Sequence, residues 1–289
     1  MGHEASQRRV GQPIPQCLYC GREWVPGVVR KSDEHFLGQW MKDHEIDHPP
    51  EHKNVQLGLV FDEATNEFVE IPADTVFKKK PLLSIKTRSV CKDCNEGPLS
   101  DIQEAAKPVI LALQEAAKTG ITVILSREDA KQLAIWAQTV ALTDELTSKG
   151  PRVGKVSMGK RLCEFKPLAG SQVWLARHPR DYSLAVALAQ MEVSATPIPR
   201  PGPPDRQVLL ASIVYHHLSI LVFITDSPGQ QSGPKPPLSQ WVMSWPVFGS
   251  SVVEFPPSAS VKGSELTELF TNTGRWIPPI HVSGIRRTG

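Results

Sequence analysis

Cys91-Lys92-Asp93-Cys94-Asn95-Glu96-Gly97 is the stretch on which the reading of this 289-residue chain turns. It is a Cys-x-x-Cys pair followed at once by Asn and Gly. The two-residue gap lets both sulfurs reach one ion at about 2.3 Å. A second pair lies far upstream in Cys17-Leu18-Tyr19-Cys20-Gly21. Cys17, Cys20, Cys91 and Cys94 together make a tetrahedral thiolate set, which points to one structural zinc. The only other cysteine is Cys163, expected to be a buried or idle thiol. Thiols used in this way suit a reducing compartment, and so a cytoplasmic protein, better than a disulfide framework. The rival reading, two redox pairs, calls for a strand-to-helix start within a βαβ unit, and neither pair has that setting.

Composition is that of an ordinary globular protein, 40% apolar and 21% charged. A net charge of only +2 gives no global pull toward nucleic acid, so such binding needs a local patch. The longest apolar run, residues 208 to 225, has Tyr215-His216-His217 in its middle and many β-branched residues. It is expected to form two buried strands joined by a turn at the histidines, with no membrane span. Residues 1 to 16 read as a loose arm.

Working outward from the second pair, residues 83 to 90 read as a strand that feeds Cys91. Residues 55 to 71 alternate like a hairpin turning at Thr65-Asn66. Downstream, Ser100 and Gln103 suggest a capping box, and Ile102, Ala106, Val109, Ile110 and Leu113 fall on one helical face that ends at Gly120. Pro108 is expected to bend that helix. Ser126 and Asp129 cap a second helix, ended by Gly150-Pro151. After residue 150 the character changes. Seventeen of the 26 prolines lie there, between short β-like runs at residues 172 to 176, 191 to 194, 208 to 214, 219 to 225 and 241 to 245.

The order Cys-x-x-Cys-Gly, then Glu34-His35, then Cys-x-x-Cys-Asn resembles the zinc-stapled HNH endonucleases of bacteria and phages. The similarity extends through Gly97-Pro98-Leu99-Ser100-Asp101-Ile102 and Ala106-Lys107-Pro108 to Leu133-Ala134-Ile135-Trp136-Ala137, covering roughly residues 15 to 145. It implies a ββα-metal core; with the two helices and the mostly β region read after residue 150, the chain is expected to be an α+β fold. The corresponding domains are residues 1–150, an HNH-like nuclease domain with a helical extension, and residues 151–289, a β-rich domain open to a protein partner.

The same resemblance implies a metal-dependent endonuclease acting on DNA. His35 would be the general base, and its ordinary pKa of about 6.5 suits that role. Glu34 and Asn95 would supply oxygens to a catalytic Mg²⁺ or Mn²⁺, both of which favour hard oxygen ligands. Lys78, Lys79, Lys80, Lys86, Arg88 and Lys92 would hold the phosphate backbone. Three other acid–histidine pairs, Asp43-His44, Asp47-His48 and Glu51-His52, compete with Glu34-His35.

The chain also departs from the family pattern. Lys86 stands where the family usually has an Asn that orients the histidine, and residues 41 to 82 read as an insertion. Pro98 and Gln138 replace an aromatic and a lysine. These departures support an alternative: a catalytically inactive, zinc-stapled protein that binds nucleic acid or acts as a scaffold.

Overall fold

The computed structural model describes residues 15–32, 34–35, 40–41, 58–62, 67–71, 86–87, 89–146, 153–194, 206–225, 236, 239–246, 252–261 and 281–288. The strands before the second cysteine pair are β1 (Glu34–His35), β2 (Gly58–Asp62), β3 (Glu67–Ile71) and β4 (Lys86–Thr87). A single turn, α1 (Lys92–Cys94), passes through a π turn at Asn95–Leu99 into α2 (Ser100–Thr119). Then come β5 (Val123–Leu125), α3 (Arg127–Glu145), α4 (Val156–Cys163), β6 (Gln172–Ser194) and β7 (Arg206–Thr225). β8 (Val242–Trp245), β9 (Val253–Phe255) and β10 (His281–Thr288) complete the order.

The described strands pair antiparallel throughout, and helices and strands do not alternate as βαβ units of a parallel sheet, which is an α+β arrangement. The largest sheet has six strands in the order β3-β2-β10-β6-β7, with β8 also on β6. β7 occupies one edge of β6, so β8 and β10 share the other, one at each end of the long strand. The expected hairpin is present as β2 and β3, from Gly58 opposite Ile71 to Asp62 opposite Glu67. Its proposed turn at Thr65-Asn66 lies outside the described residues.

Helix punctuation followed the sequence at most points. Ser126 accepts from the Asp129 N–H while the Asp129 carboxylate accepts from the Ser126 N–H, a complete capping box. Gly120 closes α2 in the left-handed conformation, φ +79°. Ser100 is not a cap: α2 grows directly out of the preceding turns, so Leu99 already has helical backbone angles. Leu146 caps α3, before the expected stop at Gly150, which lies outside the described residues.

The long apolar run was misread. Residues 206 to 225 form one continuous strand rather than two. His216 takes φ +53° inside it, and the ladder with β6 shifts register on either side of Tyr182 opposite His216. A bulge absorbs the left-handed residue without turning the chain back. Among the described residues, no helix is long and apolar enough to cross a membrane.

α2 and α3 pack together and against β7. α2 buries Ile102, Ala106, Val109, Ile110, Leu113 and Ala117, one stripe at helical spacing. α3 is buried on nearly every side from Leu133 to Thr143, because the sheet lies on one side and the first cysteine pair on another. The buried cluster runs from Cys17 to Phe255 and draws residues from both sides of residue 150. Buried polar groups pin its parts. Gln138 donates to Ser171 Oγ at 2.7 Å and accepts from the Leu168 N–H at 2.9 Å. Glu145 accepts from the N–H groups of Val153 and Gly154 at 2.6 and 2.8 Å, which fixes the passage from α3 to α4.

Candidate metal centre

The four paired cysteines converge. Their sulfurs all lie within 4.8 Å of one another, with Cys20 and Cys91 at 3.7 Å. A regular tetrahedron with metal–sulfur bonds of 2.3 Å has edges of about 3.8 Å. A disulfide would need about 2.05 Å, and all four cysteines are free thiols. Cys17, Cys91 and Cys94 are buried and Cys20 is half-buried. Four soft donors at this spacing could hold a metal such as zinc, and they leave no open position for water.

Local backbone structure places each pair. A bridge between Gln16 and Glu23 closes the first knuckle, with Cys17 N–H to Arg22 O at 2.8 Å and Gly21 N–H to Cys17 O at 2.9 Å. Gly21 has φ +76°, which side-chain-bearing residues rarely adopt, so the tight turn depends on it. The second knuckle forms where extended backbone turns into a helix. Cys91 bridges to Lys31 with extended angles, and Cys94 follows one helical turn on. The Cys91 N–H points at Cys17 Sγ, 3.3 Å away, which joins the two knuckles.

Electrostatics fit a cation. The Cys17 thiol is pushed up to about 12, first by its hydrogen bond with Cys94 and then by burial. Burial raises Cys91 as well, and Cys94 is raised chiefly through its hydrogen bond with Cys163. Crowded, buried thiols resist carrying four negative charges together, whereas a divalent ion would make all four thiolates favourable.

Arg22 completes the surround. Its Nε reaches Cys20 Sγ at 3.5 Å, and its Nη2 reaches Cys91 Sγ at 3.6 Å and Asp93 Oδ2 at 2.6 Å. It thus bridges both knuckles, and these anionic partners hold its guanidinium firmly protonated. Arg22→Ala is expected to weaken zinc binding by about 10- to 100-fold, as loss of an outer partner of metal ligands does. Competition titration against a chromophoric chelator measures this.

Two anchors seat the knuckles in the fold. Tyr19 is buried, and its hydroxyl donates to Thr139 O at 3.1 Å and lies 2.6 Å from Thr143 Oγ1, both on α3. On the other side α4 lies against the first knuckle. A Cβ at Gly159 would collide with the carbonyl of Leu18 and sit 2.8 Å from Tyr19 Cα. One at Gly21 would meet Val156 Cγ1 at 2.9 Å. Gly159→Ala is therefore expected to cost about 1–3 kcal/mol, since the obstructing atoms are backbone and cannot rotate away. Chemical denaturation of the two proteins tests this.

The other predicted site residues are less fully described. β1 and β4 pair with Glu34 opposite Thr87 and His35 opposite Lys86. Asn95 follows Cys94 directly, and its amide Nδ2 donates to Ser32 Oγ at 2.5 Å. Ser32 is buried, bonded through its N–H to Val90 O, and stands two residues before Glu34. The start of the helical segment is thereby tied to the strand that carries Glu34 and His35, across 63 residues of sequence. Lys92 is exposed and paired with Glu96 at 3.4 Å. Lys78, Lys79, Lys80 and Arg88 lie outside the described residues, as do the pairs Asp43-His44, Asp47-His48 and Glu51-His52.

Sequence reading missed Arg22, Ser32 and Gly159, and Cys163, expected to be a buried or idle thiol, is half-buried. A glycine in the middle of a short helix was the one available signal, since it marks a close approach of backbone. Comparison with protein-family models, curated proteins and solved structures found no match to this chain in any of the three.

Proposed function

We propose that this chain is an HNH-type endonuclease that hydrolyses phosphodiester bonds in DNA. Zinc would be held by Cys17, Cys20, Cys91 and Cys94 as a closed structural staple. The observation that carries the reading is the hydrogen bond from Asn95 to Ser32. The Asn95 amide nitrogen is engaged there, so its carbonyl oxygen is the branch left for a cation. Ser32 stands two residues before Glu34, and an amide oxygen with a carboxylate suits Mg²⁺ or Mn²⁺. When bound, such an ion would stabilise charge on the phosphate and on the leaving oxygen. His35 takes a proton from the attacking water. Lys86, Lys92 and the basic run at Lys78, Lys79 and Lys80, with Arg88, hold the phosphate backbone.

A second reading has its own observation. Lys86 stands directly opposite His35 in the ladder. A lysine cannot accept a hydrogen bond, so it cannot orient an imidazole as an asparagine would. This favours a zinc-stapled nucleic-acid-binding or scaffold protein without catalysis.

Incubation with supercoiled plasmid and Mg²⁺ or Mn²⁺ separates the two readings. Conversion to nicked circles supports the nuclease, and its absence with both ions leaves the second reading.

A further inference from the structure

The loop between the first knuckle and Ser32 carries an apolar tip that the fold does not bury. Val25-Pro26-Gly27-Val28 makes a tight turn: Val25 O accepts from the N–H groups of Val28 and Val29, both at 3.0 Å, and Gly27 has φ +78°. Proline at the second place and a left-handed glycine at the third suit a type II turn, which is stiff. Both limbs are anchored. The Trp24 N–H donates to Pro15 O at 3.0 Å, and Trp24 and Val29 pack against the core. On the return limb Arg30 O accepts from the Lys92 N–H at 2.9 Å, and Lys31 bridges to Cys91. The tip itself stands clear. Val28 is 75% exposed and Val25 45%, and a Cβ at Gly27 would meet nothing within 4 Å.

The charges behind the tip say what it meets. Arg30 and Lys31 are exposed, and no acid among the described residues pairs with either. Lys31 Nζ lies over the Trp24 ring, 5.0 Å from its centroid, which keeps the ammonium beside the loop. Arg22 on the outgoing limb is already engaged by Asp93, Cys20 and Cys91, and Glu23 is the one acid of the loop. A cationic rim around an apolar tip matches a polyanion with phosphates outside and stacked bases within. A bilayer offers a similar profile, but two valines give it little apolar area to hold.

We propose that residues 24–31 are a DNA-binding loop, whose tip presses into the minor groove of a duplex while Arg30 and Lys31 hold flanking phosphates. Minor-groove proteins use apolar wedges in this way to part neighbouring base pairs. The proposal rests on the nucleic-acid part of the function given above and holds whether or not the chain cuts. Its experiment therefore reads binding alone. Full-length protein is titrated at low and rising salt into a fluorescein-labelled duplex, without added Mg²⁺ or Mn²⁺, and anisotropy reports the complex. A second duplex carries 2-aminopurines, which brighten where a base step opens.

The parent is expected to bind and to brighten the probe. Val25→Ser/Val28→Ser is expected to lose the brightening and to bind about 10-fold more weakly, the order set by two small apolar side chains no longer buried. Its salt dependence should stay that of the parent. Arg30→Gln/Lys31→Gln is expected to lower the slope of log affinity against log salt by about 2, one for each phosphate released. All four side chains are exposed, so circular dichroism should match the parent's. A parent that binds no duplex overturns the nucleic-acid reading itself. A parent that binds, with either double variant matching it in affinity, slope and emission, overturns the loop alone. Loss of binding to phosphatidylserine vesicles by Val25→Ser/Val28→Ser, with its DNA affinity intact, assigns the tip to a membrane and also overturns the proposal.

Discussion

Replacing Cys91 by serine is expected to strip the metal from the chain and to lower its melting temperature steeply. Cys91 supplies one sulfur of the set, and its N–H reaches Cys17 Sγ. Its backbone also bridges to Lys31, so the residue joins both knuckles and the segment that precedes β1. Structural zinc sites contribute about 10–16 kcal/mol of apparent binding free energy. A whole domain retains only about 5–15 kcal/mol of net stability. Losing the ion should therefore unfold at least the knuckles. Metal analysis should give about one zinc per parent chain and none for the variant, and calorimetry should show the shift. A zinc-free variant that melts like the parent would remove the ion from any structural role.

Proton competition adds a pH dependence with a definite sign. The Cys17 thiol is pushed up to about 12 and Cys94 is raised as well, so each ligand gives up a tightly held proton when metal binds. Apparent zinc affinity should rise with pH across the neutral range and fall as the solution is acidified. Chelator competition at several pH values measures it.

The second large effect belongs to His35. If His35 is the base, His35→Ala should reduce plasmid nicking by about 10²- to 10⁴-fold, the usual contribution of a positioned acid–base group. Zinc content should not change, because β1 lies outside the sulfur set. Lys86→Asn is the informative partner variant. It puts a hydrogen-bond acceptor opposite His35 in the ladder and should raise the rate above that of the parent. Equal nicking by the parent and His35→Ala would move the chemistry elsewhere, whatever Lys86→Asn does.

The knuckles were legible in the sequence because metal-ligand spacing is local chemistry. Two sulfurs two residues apart carry their meaning without any tertiary context. The capping box at Ser126 and the left-handed Gly120 were legible for the same reason. Features set by distant partners were not. Tyr19 reads as one more aromatic until α3 supplies Thr139 and Thr143 for its hydroxyl. Gln138 reads as a misplaced polar residue until Ser171 and Leu168 meet it. β6 runs from Gln172 to Ser194 through Pro179 and a charged stretch; the ladder with β7 breaks between Arg177 and Tyr182 and resumes beyond, so long-range pairing on either side overrides the local signal. His216-His217 looked like a turn, and only the pairing with β6 shows that the strand continues. The Ser32–Asn95 contact was hidden by its 63-residue separation.

The position of α4 has a consequence for synthesis. Both cysteine pairs leave the ribosome before the helix that covers the first knuckle. Sixty-nine residues separate Cys94 from Cys163. At roughly 5–20 residues per second, the nascent chain offers four sulfurs to free metal for some seconds before α4 can dock. Loading is easiest in that interval. A chain that misses it must admit its ion past a helix already seated on the knuckle backbone.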